Sequence, residues 1–336
     1  MNRNSYPWVD HLKALGIFLV VAGHTSLPPA QHRWIYAFHM PLFFFLSGFL
    51  LTPGAFGIPL REFFQRRIWK LVKFYGWFGL LGTAVYCYMF KQEQSLAVAL
   101  GGRLYSLLYG SASHDSTADL YPQVLWFFPG LISGLLITFA VWKIPWPWAR
   151  ALTMAAVVTG GFLMVGWALP WELESGCLAA GCLATGHWVR LAGWEERLQL
   201  ASRRALPVAV IALLIGSWLA ILNSDCLDMR VGRIGNPLLA LPACGLLILA
   251  LTLGAMRLPA LRISKAVAAA TIVIFPTHML FFPYLDRIVI KLGGPACALM
   301  VNPVGYGWSK AAVIVAATTL AHASYRRGFN HRSQRG

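Results

Sequence analysis

Residues 12–51 read LKALGIFLVVAGHTSLPPAQHRWIYAFHMPLFFFLSGFLL. Two apolar runs flank a turn at Pro28 and Pro29, and each run approaches the roughly 20 residues that a helix needs to cross a bilayer. An antiparallel hairpin of two spans is expected. His24 falls near the far end of the first run and His39 near the start of the second, so the hairpin brings both imidazoles to one side of the membrane. Imidazole titrates near neutral pH, and an ionisable group at membrane depth is costly enough to mark function. The plainer alternative is that these rings hydrogen-bond neighbouring helices.

The rest of the chain has the same character. Of its 336 residues, 58% are hydrophobic and only 12% charged, about half the charged share of a soluble domain. We expect an all-α integral membrane protein, a single domain over residues 1–336, with no room for a separate soluble domain. About ten transmembrane helices are expected, near residues 9–27, 34–52, 72–90, 123–142, 150–169, 173–191, 205–222, 237–254, 266–285 and 303–323. The first run is not followed by a small-x-small cleavage site and is read as a retained span rather than a signal peptide. The formal charge of +16 would suggest nucleic acid in a soluble protein. Here the cations lie in short loops between spans, which points instead to membrane orientation. With the N-terminus inside, 19 Lys and Arg fall in inner segments and 7 in outer ones, so both termini are expected in the cytoplasm.

Candidate chemistry follows from this topology. Asp10 and Lys13 lie one turn apart at the inner end of the first span. Lys13 and His24 are eleven residues apart, so they share a helix face at an axial separation of about 16 Å. His278, in TIVIFPTHMLFFPY, also falls in the outer half. His24, His39 and His278 could therefore converge as catalytic groups; without neighbouring carboxylates, no metal site is expected. The segment REFFQRRIWKLVKFY alternates aromatic residues with cations. It reads as an interfacial helix with a basic face or as a clamp for phosphate through Arg66, Arg67 and Lys70, and both can hold. Trp126 is an interfacial anchor or a stacking platform for a sugar. Glu172 and Glu174 hold an acceptor or face water. Ser47 lacks a GxSxG elbow and is read as a packing serine. Residues 91–122 form the longest outer connection, with a surface helix expected in their apolar part. Cys226 and Cys297 fall in outer loops, where an oxidising compartment would allow a disulfide.

The first two spans also resemble the membrane acyltransferase family 3, in particular its branch resembling fucose 4-O-acetylase. Asp10 followed by LKALGIFLVVAGH, and FHMPLFFFLSGFL at residues 38–50, carry the resemblance. Arg67-Ile-Trp-Lys70 is similar to the family's Arg-x-x-Arg, and LWFF (125–128), GNPLL (235–239) and the PTH ending at His278 are weaker echoes. Lysine stands at positions 13 and 70 where the family usually has arginine, which keeps the charge but loses the bidentate fork. The resemblance implies an enzyme of a bacterial inner membrane that moves acetyl, or another short acyl group, from cytoplasmic acetyl-CoA to a hydroxyl of a sugar or glycan. His24 is then the general base, with His39 or His278 orienting it or stabilising the oxyanion. A basic inner mouth of Lys13, Arg66, Arg67 and Lys70 is expected to hold the donor, and Asp10, Trp126, Glu172 and Glu174 stand as the candidate substrate-binding residues from the reading above. The alternative from the residues alone is a proton-coupled transporter that uses the histidines as a relay.

Overall fold

The computed structural model describes residues 6–89, 95–111, 123–164, 166–194, 202–293 and 300–333. Helices dominate it. In chain order they are α1 (Pro7–Gly23), α2 (Pro29–Tyr36), α3 (His39–Phe49), α4 (Leu60–Phe63), α5 (Trp69–Met89), α6 (Leu96–Tyr109), α7 (Phe127–Trp142), α8 (Pro147–Leu163), α9 (Leu173–Leu191), α10 (Ser202–Leu222), α11 (Pro237–Ala255), α12 (Arg262–Leu292) and α13 (Pro303–Ser333). A π-helical turn, Phe64–Ile68, joins α4 to α5, and 3-10 turns precede α7 (Gln123–Trp126) and α9 (Pro170–Glu172). Among the described residues, extended backbone pairs in a single isolated bridge, Asp228 with Arg233.

Helices lie on every stretch expected to span. Four segments are long and apolar enough to cross a membrane among the described residues: Val124–Trp142, Ala205–Leu222, Pro237–Ala255 and Arg262–Leu292. This is a multi-pass membrane protein. At 31 residues α12 is about 46 Å long, well beyond the roughly 30 Å hydrocarbon core. The second expected span is not one helix. Pro41 has no N–H to donate to the carbonyl of Ala37, and its ring crowds that carbonyl. The chain accordingly leaves the helix at Ala37 and Phe38 and restarts as α3. The apolar part of the expected outer connection is helical, as α6, with the Ser95 hydroxyl accepting from the amide of Val98 and Gly110 closing the far end at φ 71°. Cys297 lies outside the described residues, and with it the suggested disulfide.

The chain divides into two compact units, Met1–Phe43 with Leu198–Leu227 and Gly235–Gly336, and Phe44–Arg197 with Asp228–Ile234. In the first unit α1 packs against α11, α12 and α13 and is buried along most of its length, from Trp8 to Gly23. α10 and α11 pair closely, while Leu206, Ile211, Leu214, Trp218 and Leu238 stay exposed, as a lipid-facing surface requires. The GNPLL run is a helix start: Asn236 Oδ1 accepts from the amide of Leu238, Pro237 takes the first helical position, and Gly235 supplies φ 67° against Asn223.

In the second unit small residues bring helices into backbone contact. A Cβ on Gly48 of α3 would collide with the carbonyl of Leu183, and one on Gly186 of α9 with the carbonyl of Phe45. α7 and α9 meet the same way through Gly134 and Gly176. Close approach of this kind maximises dispersion where lipid provides no hydrophobic drive between helices.

Candidate active site

The histidines of the hairpin lie in the first unit. α1 ends at His24, the C-cap residue, whose amide contacts the carbonyl of Val21 at 3.3 Å. The His24 side chain is exposed, and its ring centroid is 5.1 Å from that of His278. His278, on α12 two residues after Pro276, is fully buried. Its Nδ1 lies 2.7 Å from the Phe275 carbonyl and 3.3 Å from that of Ile274. A carbonyl only accepts, so Nδ1 carries the proton. Nε2 is therefore the lone-pair nitrogen of the neutral ring, and it is buried without a hydrogen-bond partner.

His39 follows the same local rule with a different neighbour. Its Nδ1 donates to the Ile35 carbonyl at 2.9 Å, and its ring meets Tyr36 edge-on at 4.7 Å. Tyr36 in turn stacks on His32 at 4.1 Å. His32 Nε2 donates to the carbonyl of Gly23 at 3.1 Å, which leaves Nδ1 to accept from the Cys226 thiol, also at 3.1 Å. His24 and His278 thus form one pair, and His39 belongs to a second aromatic row that supports the end of α1. By its place in the sequence His32 is a connecting residue between the two runs. It instead holds the carbonyl immediately before His24, and only a long-range contact with Cys226 reveals that. At the other end of α1, Asp10 and Lys13 are half-buried and one turn apart, and His11 Nε2 donates to the Pro259 carbonyl at 3.0 Å.

The basic segment lies in the second unit. Arg66 pairs with Glu62 on the surface, its side chain 66% exposed. Arg67, one residue on, turns inward and donates to Thr52 Oγ1 at 3.3 Å. Burial, together with Arg66 and Arg190 nearby, holds the Arg67 pKa below its ordinary value. Lys70 is exposed above the ring of Phe74, 5.5 Å from its centroid. The π turn at Phe64–Ile68 contains Arg66 and Arg67, and such turns recur at functional sites.

Three more cations reach the same region from distant segments. Arg190 Nη1 donates to the Phe49 carbonyl at 3.1 Å, and Lys143 Nζ to the carbonyls of Phe56 and Ile58 at 2.9 and 3.1 Å. Arg150 lies over the Trp142 ring at 4.9 Å. Trp142 and Phe56 both meet His187 edge-on, at 5.2 and 4.9 Å, and His187 is fully buried. The Arg190 and Lys143 contacts are to backbone carbonyls, and the Arg150 contact is to an aromatic face. In the sequence Arg190, Lys143 and Arg150 count among the inner cations, but no signal gathers them.

Trp126, Glu172 and Glu174 are also in the second unit, and all three are buried. The Trp126 ring and the Glu172 Cβ flank Gly130. Glu172 adopts φ 51° directly after Trp171 at φ 56°, and Ala168 has φ 53°. Left-handed backbone at three non-glycine residues of one short segment costs on the order of 1–3 kcal/mol each. Ser175 Oγ lies 3.0 Å from Glu172 Oε2 and donates to the Met229 carbonyl at 2.8 Å. Glu174 accepts the amide of Leu169 at 3.2 and 3.3 Å. Neither carboxylate faces water. Among the described residues, no three His, Cys, Asp or Glu come together as a metal site requires.

The sequence pattern of the acyltransferase 3 family, described as an acyltransferase domain, matches residues 6–323. The chain belongs to that family and is a membrane acyltransferase. No curated protein and no solved structure matches it.

Proposed function

We propose that this protein transfers an acetyl or other short acyl group from cytoplasmic acyl-CoA to a hydroxyl of a sugar or cell-surface glycan. In this reading it resides in a bacterial inner membrane, spans it about ten times and has both termini in the cytoplasm. Both units contribute to a single acyltransferase domain, as the family match across them supports. The assignment to the branch resembling fucose 4-O-acetylase is part of the same reading and rests on residues 38–50.

One observation carries the mechanism: the 5.1 Å pairing of an exposed His24 with a buried His278 whose tautomer is set by its own helix. His24 takes the proton of the acceptor hydroxyl as that oxygen attacks the thioester carbonyl. The tetrahedral intermediate then expels CoA as its thiolate, which takes up the proton from His24. His278 presents only a lone pair at Nε2, so the neutral ring accepts a hydrogen bond and does not donate one. That suits orienting His24 and steadying the imidazolium that forms, and it argues against an oxyanion-donor role. His39 has the same tautomer and supports the end of α1 through Tyr36.

The donor's phosphates fit the cation cluster of the second unit. Arg67 and Lys70 hold them together with Arg190 and Lys143, and Arg66 stands at the rim. Lys13 is the donor cation proposed on α1, and Asp10 its partner. Trp126 and the strained Glu172 segment are proposed to recognise the acceptor, with Glu174 fixing that segment.

The test uses inverted membrane vesicles with acetyl-CoA labelled on the acetyl group, following free CoA and labelled glycan together. Release of CoA and appearance of labelled glycan, both lost in His24→Ala, are expected. No release with any short acyl-CoA, in the presence of candidate acceptors, would overturn the reading, and unchanged turnover in His24→Ala would overturn its mechanism.

A further inference from the structure

α12 and α13 pack antiparallel and leave a groove of about 560 Å³ along their shared surface. Val273, Phe281 and Ile288 of α12 line it, facing Val313, Ala317 and Ala321 of α13. Its walls are almost wholly apolar, and Phe281, Ile288 and Val313 are each about half exposed. From Val273 to Ile288 the helix rises about 22 Å, which is most of one leaflet-to-leaflet hydrocarbon depth and the length of a single extended acyl chain.

The two ends of the groove differ. At the Ile288 end Asp286 offsets Lys310, with Nζ 2.6 Å from Oδ1, and Tyr306 also donates to Asp286. At the other end the groove is lined by His322 and Tyr325. Arg326 and Arg327 follow directly and are exposed, and Arg262 and Lys265 begin α12 at the same end. Residues 262–275 and 313–336 contain no Asp or Glu. An apolar slot one chain long, leading to four cations without a carboxylate in either flanking sequence, matches an amphiphile with one chain laid along the helices and an anionic head at the Arg326 end.

We propose that the α12–α13 groove is a head-group-selective site for an anionic phospholipid of the surrounding bilayer, independent of the acyl-transfer site. Thr277 lines the groove while the adjacent His278 faces His24. Occupancy of the groove therefore bears on the helix that carries His278 of the histidine pair, from a different face.

The experiment uses the full-length protein in detergent, exchanged with equimolar phosphatidylglycerol and phosphatidylcholine of matched chains, with retained lipid read by native mass spectrometry. Retention of one phosphatidylglycerol in preference to phosphatidylcholine is expected. Each basic residue near a membrane surface contributes enough that Arg326→Gln with Arg327→Gln should cut that preference about tenfold or more. Ala317→Trp, which fills the slot and leaves the cations, should abolish retention of both lipids. Equal retention of the two lipids overturns the proposal, as does preference that survives both variants. A polyprenyl phosphate co-purifying in place of phospholipid also overturns it, and so does a stable dimer that Ala317→Trp dissociates.

Discussion

The histidine end of the first unit and the cation cluster of the second are built on opposite plans. His39 and His278 each satisfy Nδ1 on a carbonyl of their own turn or the preceding one, so four residues of local sequence set their tautomer. Two of the cations, Lys143 and Arg190, satisfy donors on carbonyls far along the chain, and Arg190 reaches Phe49 across 141 residues. Local fixation suits a group that positions a proton-transfer partner, because that orientation matters at the scale of a single hydrogen bond. Dispersed fixation suits an anion clamp, where charge sums over several groups and no one position dominates. The two plans therefore differ in how a single substitution should register: in kcat at the histidines and in donor KM at the cations.

The largest effect is expected at His24. His24→Ala should lower kcat for acyl transfer about 10²–10⁴-fold, the range for a positioned general base, with donor KM nearly unchanged. A rise in KM without loss of kcat would erase the contrast between the two regions. His278 should register next, as a positioning residue. His278→Asn can keep the bond to the Phe275 carbonyl but loses the Nε2 lone pair, and kcat should fall about 10- to 100-fold through misorientation. His278→Gln, which can place an acceptor near the Nε2 position, should recover part of that loss and restore the pH–rate profile. Equal loss in both variants, with an unaltered profile, would reduce His278 to packing.

Packing itself has a separate signature. Gly48→Ala forces a methyl into the Leu183 carbonyl, and overpacking of this kind costs about 1–3 kcal/mol. Its thermal transition in detergent should fall clearly, while Gly54→Ala, with open space around the added Cβ, should leave it unchanged.

Much of this arrangement is legible in the amino-acid sequence. Apolar runs of the right length locate the helices because burial in lipid demands them, and the isolated polar residues within those runs stand out for the same reason. His24 and His278 are conspicuous as costly exceptions, and both fall in the outer half of spans that run in the same direction, which is where the structure pairs them. The break at Ala37 is encoded by Pro41, but the run of phenylalanines around it reads as uninterrupted. The π turn at Phe64–Ile68 has no such marker, since one extra residue per turn leaves hydrophobicity unaltered. The burial of Glu172 and Glu174 is equally hidden: a short segment between two helices ordinarily faces water, and here left-handed backbone at Trp171 and Glu172 turns it inward. Arg190 and Lys143 are invisible as site residues because their partners are backbone carbonyls, which carry no sequence signal.

The finest test of the comparison lies between two adjacent arginines. Arg67 is partly buried, engages Thr52 and lies within electrostatic reach of Arg190. Arg66 is two-thirds exposed and already paired with Glu62 one turn back. A charge-assisted hydrogen bond to phosphate is stronger than a neutral one, so Arg67→Gln should raise donor KM about 5- to 10-fold at unchanged kcat. An exposed ion pair contributes little, so Arg66→Gln should shift KM by less than about twofold. The ordering is the informative quantity. If Arg66→Gln raises KM more than Arg67→Gln does, the phosphates sit on the exposed face of the π turn, and the inward cluster around Arg190 serves only to hold the connection after α3.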